Sequence, residues 1–327
     1  MTELQAPGGL VHALLLDGSG GASEMDWHQV DSWTAEQGCL WLHFNFTAAG
    51  AAEWLRGDSK LNALAAEALL SDETRPRASN LGGELLLALR GVNLNPGSDP
   101  EDMVSLRLWT DGQRIITTRR RHLLSTGDVL ESLASKIGPA DAGDLIVELT
   151  DRIVQRMSDT VDRLEDEVMA LEEQALSEAP NALRSELAQL RKQTIALRRY
   201  LAPQREALNR LVMEKLAWIS DKNRMQLREI SDRLIRHIED IDAVRERAAV
   251  AQEELLSRIS EQMNERMYVL SMVAAVFLPL GFFTGLMGIN VGGMPGVESN
   301  EGFWVVVASC LGLAGALIIF FRRKKWL

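Results

Sequence analysis

The stretch MYVLSMVAAVFLPLGFFTGLMGIN, residues 267–290, decides the architecture. No charged residue occurs from Tyr268 to Val297. Met267–Met287 has about the 20 apolar residues that a bilayer-spanning helix needs, and the polar turn Gly288-Ile289-Asn290 follows it. A second apolar run, Phe303–Phe321, comes after a short connector and leads into the basic tail Arg322-Arg323-Lys324-Lys325-Trp326-Leu327. The order is a soluble domain, a helix running into the membrane, a polar turn and one return helix.

Lys and Arg mark cytoplasmic flanks. The tail is basic, whereas the connector carries only Glu298 and Glu301. Both termini are therefore expected in the cytoplasm, with the connector outside. The opening MTELQAPGGL has no basic n-region or long apolar core, so the C-terminal spans are expected to direct insertion. Net charge is −11, which disfavours nucleic acid as a partner because phosphate binding needs a basic face. The acids concentrate between Asp144 and Glu178, as a solvated helix face or a cation-attracting surface. Cys39 and Cys310 fall in different regions and imply no disulfide framework.

Residues 1–142 read as an α/β domain. Strand-like runs occur at Leu10–Leu16, Cys39–Phe46, Glu84–Arg90, Met103–Trp109 and Arg114–Thr118, the last two flanking an Asp111-Gly112 turn. Ala51–Leu55 and Leu61–Leu70 are helical in composition. Residues 143–266 read as helical hairpin and stalk, and 267–327 as the membrane domain. Asp144–Ala179 has no Gly or Pro and predicts one helix, ended by Pro180-Asn181. Ala182–Leu201 predicts a second, and Pro203 opens a third. Gln204–Leu278 would make that third helix about 75 residues, on the order of 110 Å long. Leu227, Ile230, Leu234, Ile238 and Ile241 give it an apolar stripe that requires a partner.

One face of this helix enters the membrane as Glu253, Leu256, Ser260, Asn264, Met267, Leu270, Ala274, Leu278, Gly281 and Gly285. The other faces carry Tyr268, Val269, Val273, Phe277 and Phe282. Periodicity alone leaves two readings open, a helix lining a narrow path and ordinary close helix packing. The histidines His12, His28, His43, His122 and His237 lie outside both spans and lack the spacing of a helical zinc pair. His43 reads as structural and His237 as solvated. Neither a phosphate-binding glycine loop nor a nucleophile elbow occurs, so no enzyme and no cofactor is expected.

The Gly288-Ile289-Asn290 turn, the following Met294-Pro295, the basic ending and the pattern Leu197-Arg198-Arg199…Pro203-Gln204-Arg205-Glu206 resemble the CorA-type metal ion transporter family. The resemblance covers the layout of the whole chain. It implies a funnel-shaped homopentamer in a cell inner membrane, built from an α/β cytoplasmic domain, a long-helix stalk and two transmembrane helices. It makes Gly288, Ile289 and Asn290 the selectivity filter, with Asn290 ordering a hydrated ion. Asn264, Met267, Leu270, Ala274, Leu278 and Gly281 would line the pore, and Glu298 and Glu301 would attract cations outside. Glu253 stands near the depth of a regulatory site in magnesium-transporting members; the alternative is an ion pair with Arg247 or Arg258.

Ile289 replaces the Met of magnesium-transporting members, and Gly296-Val297 replaces their Glu-Leu. The Ile at position 289 resembles the ZntB-like, zinc-transporting branch. That implies zinc as the cation, with cadmium, nickel and cobalt as further partners, and uptake linked to a proton gradient. The alternatives are a magnesium, cobalt or nickel channel of the same family, and a membrane-anchored coiled-coil scaffold or sensor.

Overall fold

The computed structural model describes residues 6–72, 74–177, 180–289 and 299–324. Two compact units, Met1–Gln252 and Glu253–Leu327, make up the chain. The first contains a seven-stranded sheet: β1 (Leu10–Leu16), β2 (Ala22–Glu24), β3 (Leu40–Asn45), β4 (Arg77–Leu81), β5 (Glu84–Gly91), β6 (Val104–Thr110) and β7 (Arg114–Arg119). Its order is β2-β1-β3-β7-β6-β5-β4. Every neighbouring pair is antiparallel except β3–β7, where Leu42 stands opposite Ile116.

Alternation along the strands sorts side chains to two faces. Leu42, Phe44, Leu86, Trp109 and Ile116 share one core with Leu55 of α2 (Ala51–Arg56) and Leu69 of α3 (Ala63–Leu70). Here α1 is Trp27–Asp31. On the other face Leu87, Leu89, Leu106 and Leu108 meet Ile146 and Leu149 of α5 (Ala142–Gln155). β6 is buried along its whole length because both faces are covered. The Asp111-Gly112 turn joins β6 to β7 as expected. Gly112 has a φ of +92°, and a Cβ there would lie 2.4 Å from Trp218 Cγ. Glycine is required twice over, by backbone and by neighbour.

Three helical boundaries differ from the sequence expectation. The predicted helix over Asp144–Ala179 is two, α5 and α6 (Ser158–Ser177). Between them Met157 is buried, and Arg156 forks onto Asp128 of α4 (Leu124–Ala134) at 2.5 and 2.6 Å. Tertiary anchoring breaks the helix where no breaker residue stands. Conversely, Pro203 starts nothing, since α7 (Pro180–Met213) runs through it. Pro203 has no N–H to give the helix, but the helix packs on β4 and β5, and buried Gln204 Oε1 accepts the Arg90 N–H at 2.6 Å.

The long helix α8 is therefore Asp221–Met287, 67 residues, and not Gln204 onward. The real interruption is Glu214–Ser220. Arg224 donates to the carbonyls of Val212, Glu214 and Leu216, and Trp218 Nε1–H donates to Gly83 O at 3.1 Å. Asn223 Oδ1 accepts the Ser220 N–H at 3.0 Å, while Ser220 Oγ accepts the Asn223 N–H at 3.1 Å. This reciprocal cap fixes the helix start. Leu227, Ile230, Leu234, Ile238 and Ile241 are all buried, as the stripe requires.

His237 is a further correction. It is buried rather than solvated, with Nε2 at 3.4 Å from Ser158 Oγ. His43 is buried, its Nδ1 2.7 Å from Thr117 Oγ1, which also accepts Trp41 Nε1–H at 2.8 Å. Burial, reinforced by Arg119, pushes the His43 pKa down to about 3. Burial also lowers those of His12, His122 and His237. As pH falls through 6.5 the unfolded chain takes up these protons and the folded chain resists them. Stability is then lost by about 1.4 kcal/mol per pH unit for each fully resistant histidine. Melting of the detergent-purified full chain is expected to fall between pH 7 and pH 5, with a shallower slope in His43→Gln. A flat wild-type profile contradicts this.

Candidate functional site

The Glu253–Leu327 unit consists of the end of α8 and of α9 (Gly302–Arg323). Both helices contain apolar windows long enough to cross a membrane, with mean hydropathy 2.1 and 2.4, and neither window is buried by the fold. Phe277, Phe282, Phe303 and Trp304 are exposed, Phe282 at 73%. Apolar surface on this scale needs lipid or other copies of the chain.

Along the proposed lining row, Asn264, Met267, Leu270, Leu278 and Gly281 are exposed, with Leu278 at 71%, and Ala274 is half-buried. A Cβ added at Gly281 or Gly285 would meet nothing within 4 Å. Packing inside the chain therefore does not require these glycines. Their four-residue spacing suits close approach of another helix or an open path.

Two residues that periodicity does not single out shape this helix. Pro279 lies inside α8 and has no N–H, so the carbonyl of Ala275 loses its helical donor. Thr284 Oγ1 donates back to Leu280 O at 3.0 Å and contacts Gly281 O at 3.2 Å. The signal was present as a proline and a threonine within an apolar run. In lipid such freed carbonyls are tolerated where they line a polar path or meet protein.

The helix ends where the sequence indicates. Gly288 N–H is shared between Thr284 O at 3.0 Å and Gly285 O at 3.1 Å. A Cβ at Gly288 would come within 3.3 Å of the Thr284 carbonyl. Gly288 and Ile289 are exposed. Asn290 and Glu298 lie outside the described residues. Glu301 is exposed and precedes α9, its carbonyl accepting the Val305 N–H at 3.1 Å. It stands at the N-cap position of α9 without a side-chain cap hydrogen bond, at the positive end of that helix. Arg322, Arg323 and Lys324 sit at the opposite, negative end.

Glu253 is exposed. The ion pairs suggested for it are made by others: Arg247 forks onto Glu172, and Arg258 Nη2 donates to Glu254 at 2.9 Å. Among the described residues no group of three or more His, Cys, Asp or Glu side chains is placed to hold a metal ion. Cys39 is an unsuitable ligand, since burial and then Asp141 and Asp111 push its thiol up to about 12. The side chains offered along the row are a primary amide, a thioether, two leucines and small residues.

The family described as CorA-like Mg2+ transporter protein matches residues 36–323. The chain belongs to that family. The divalent cation transporter CmaX of Pseudomonas aeruginosa is 39% identical over 327 residues, covering 98% of this chain and 97% of that one. The zinc transport protein ZntB of Pectobacterium carotovorum is 39% identical over 330 residues, covering 99% and 98%. The structure of the full-length CmaX protein matches with a TM-score of 0.85 at 38% identity, over 99% of this chain and 100% of its own. The complete CorA magnesium transporter from Methanocaldococcus jannaschii matches with a TM-score of 0.82, over 97% and 99%, but at 20% identity that likeness is one of fold alone. Membership in this transporter family sets the scaffold reading aside.

If the small face of α8 serves the path, Gly281→Leu should leave melting of the full chain within about 0.5 kcal/mol of wild type, since nothing within the chain is displaced. Metal flux in liposomes should fall by about tenfold or more, equivalent to roughly 1.4 kcal/mol at the barrier. Unchanged flux would remove Gly281 from the path.

Proposed function

We propose that the protein carries divalent metal cations across a cell inner membrane, with zinc as principal cargo, through a path enclosed by five copies of the chain. The observation that carries this reading is the pair of apolar helices that the fold leaves uncovered, the first ending in the exposed Gly288-Ile289 step. Two spans from one chain cannot enclose a path, which supports a closed ring. Similarity to proteins named for zinc transport supports the metal. Residues 1–142 form the cytoplasmic α/β domain, 143–266 the hairpin and stalk, and 267–327 the membrane domain, with both termini in the cytoplasm.

Glu298 and Glu301 raise the local cation concentration within about a Debye length, roughly 10 Å at 0.1 M salt. The Asn290 amides then hydrogen-bond the water shell of the ion, and their neutrality avoids holding it too tightly. The apolar row from Met267 to Leu278 follows and controls wetting of the path. Zinc usually prefers nitrogen and sulfur ligands, and no His or Cys occurs on this row. It therefore passes hydrated, with modest discrimination among zinc, cadmium, nickel and cobalt. An inward proton gradient supports uptake.

Purified protein in liposomes with a metal-sensitive dye tests this. Zinc flux should exceed magnesium flux and rise under an inward proton gradient, and Asn290→Ala should nearly abolish it without changing assembly. Magnesium flux equal to or above zinc flux would favour the magnesium-channel alternative. Wild-type flux from Asn290→Ala would remove the Asn290 ring.

A further inference from the structure

The end of α9 changes character within two residues. Phe320 is apolar and 52% exposed, whereas Arg322, Arg323 and Lys324 are exposed cations. Lys325 and Trp326 continue the run in the sequence, and no Asp or Glu occurs after Glu301. Among the described residues none of the three cations makes an ion pair or a side-chain hydrogen bond. The first span begins at the same membrane surface, because α8 enters the bilayer and α9 returns. Glu261, Glu265 and Arg266 are exposed there, and neither acid is paired with the three cations.

Depth decides what these cations meet. As a helix, Phe303–Phe321 rises about 28 Å, close to the roughly 30 Å of a hydrocarbon core. The run that follows therefore stands where acyl chains end and lipid phosphates begin. Long Arg and Lys side chains keep an apolar stem in the hydrocarbon and present the charge above it. The negative end of α9 favours a cation in its last turn, which Arg322 or Arg323 alone would supply. A run of four basic residues beside a span also attracts anionic headgroups.

We propose that Arg322, Arg323 and Lys324 bind the phosphate headgroup of an anionic phospholipid. Guanidinium groups match phosphate oxygens in pairs. Membrane depth selects a lipid over a free anion, and exposed Phe320 beside the arginines offers the acyl chains an apolar contact. A zwitterionic lipid brings its own ammonium to the phosphate and so competes with the arginines for it.

Native mass measurement of the delipidated full chain in mild detergent tests this, with cardiolipin or phosphatidylethanolamine added at equal concentration. Wild type should retain cardiolipin in preference, and less of it as salt rises. Affinity should fall about tenfold or more in Arg322→Gln with Arg323→Gln. Arg322→Lys with Arg323→Lys should keep most of the binding, and Arg56→Gln, which removes an exposed pair with Glu67 elsewhere, should bind as wild type. Circular dichroism checks folding of each variant, and the wild-type preference is read without any of them. Equal retention of the two lipids by wild type overturns the proposal, as does unchanged affinity in the folded Gln double variant. Displacement of cardiolipin by millimolar inorganic phosphate would also overturn it, making the site one for a free anion.

Discussion

The exclusion of water from two long apolar helices is the constraint on which the rest depends. Over much of 267–287 and 302–320 the chain presents apolar side chains that its own fold leaves largely uncovered. A soluble protein would be expected to cover such surface; here a bilayer or further copies must do so. That requirement gives the polar interruptions their meaning. Gly281, Gly285, the proline at 279 and the Gly288 turn would be weak features in a buried core. In lipid each one opens either backbone oxygen or space.

The Met1–Gln252 unit solves a different problem, the start of a very long helix. A helix gains little from propensity over such a length without packing. Arg224 gathers the carbonyls of Val212, Glu214, Leu216 and Ile219, the Ser220–Asn223 cap satisfies early donors, and Asn223 Nδ2 donates to Asp144 at 2.7 Å. Trp218 stands on the two hairpin turns at Gly83 and Gly112. Side-chain anchoring thus sets where α8 begins.

Much of this was legible in the sequence, for physical reasons that also explain the failures. The strands over Leu10–Leu16 and Glu84–Gly91 are largely apolar runs, and Arg114–Arg119 is a β-branched run after the Asp111-Gly112 turn, so they read directly. β2 and β4 are short, largely polar edge strands with little pattern to find. α4 begins with Leu-Ser-Thr-Gly, a composition that reads as loop. Pro203 misled because a buried glutamine contact and sheet packing hold the helix through it. The α5–α6 break was invisible because it is made by Arg156 reaching Asp128, twenty-eight positions away. His237 gave no local sign of burial, since its cover comes from another helix. The row from Glu253 to Gly285 stands on one face of α8 because a helical face repeats every three or four residues, and its role as a lining belongs to the proposal. The roles of Asn290 and Glu298 rest on resemblance and chemistry.

The central claim is that several copies of this chain together enclose one path. Native mass measurement of the purified, flux-competent protein in mild detergent addresses it most directly. The account requires a closed assembly of five copies, retained under the conditions that preserve metal flux. A monomer or dimer that still conducts would contradict it, because four membrane helices or fewer, with the small face of α8 unpartnered, could not surround a hydrated cation.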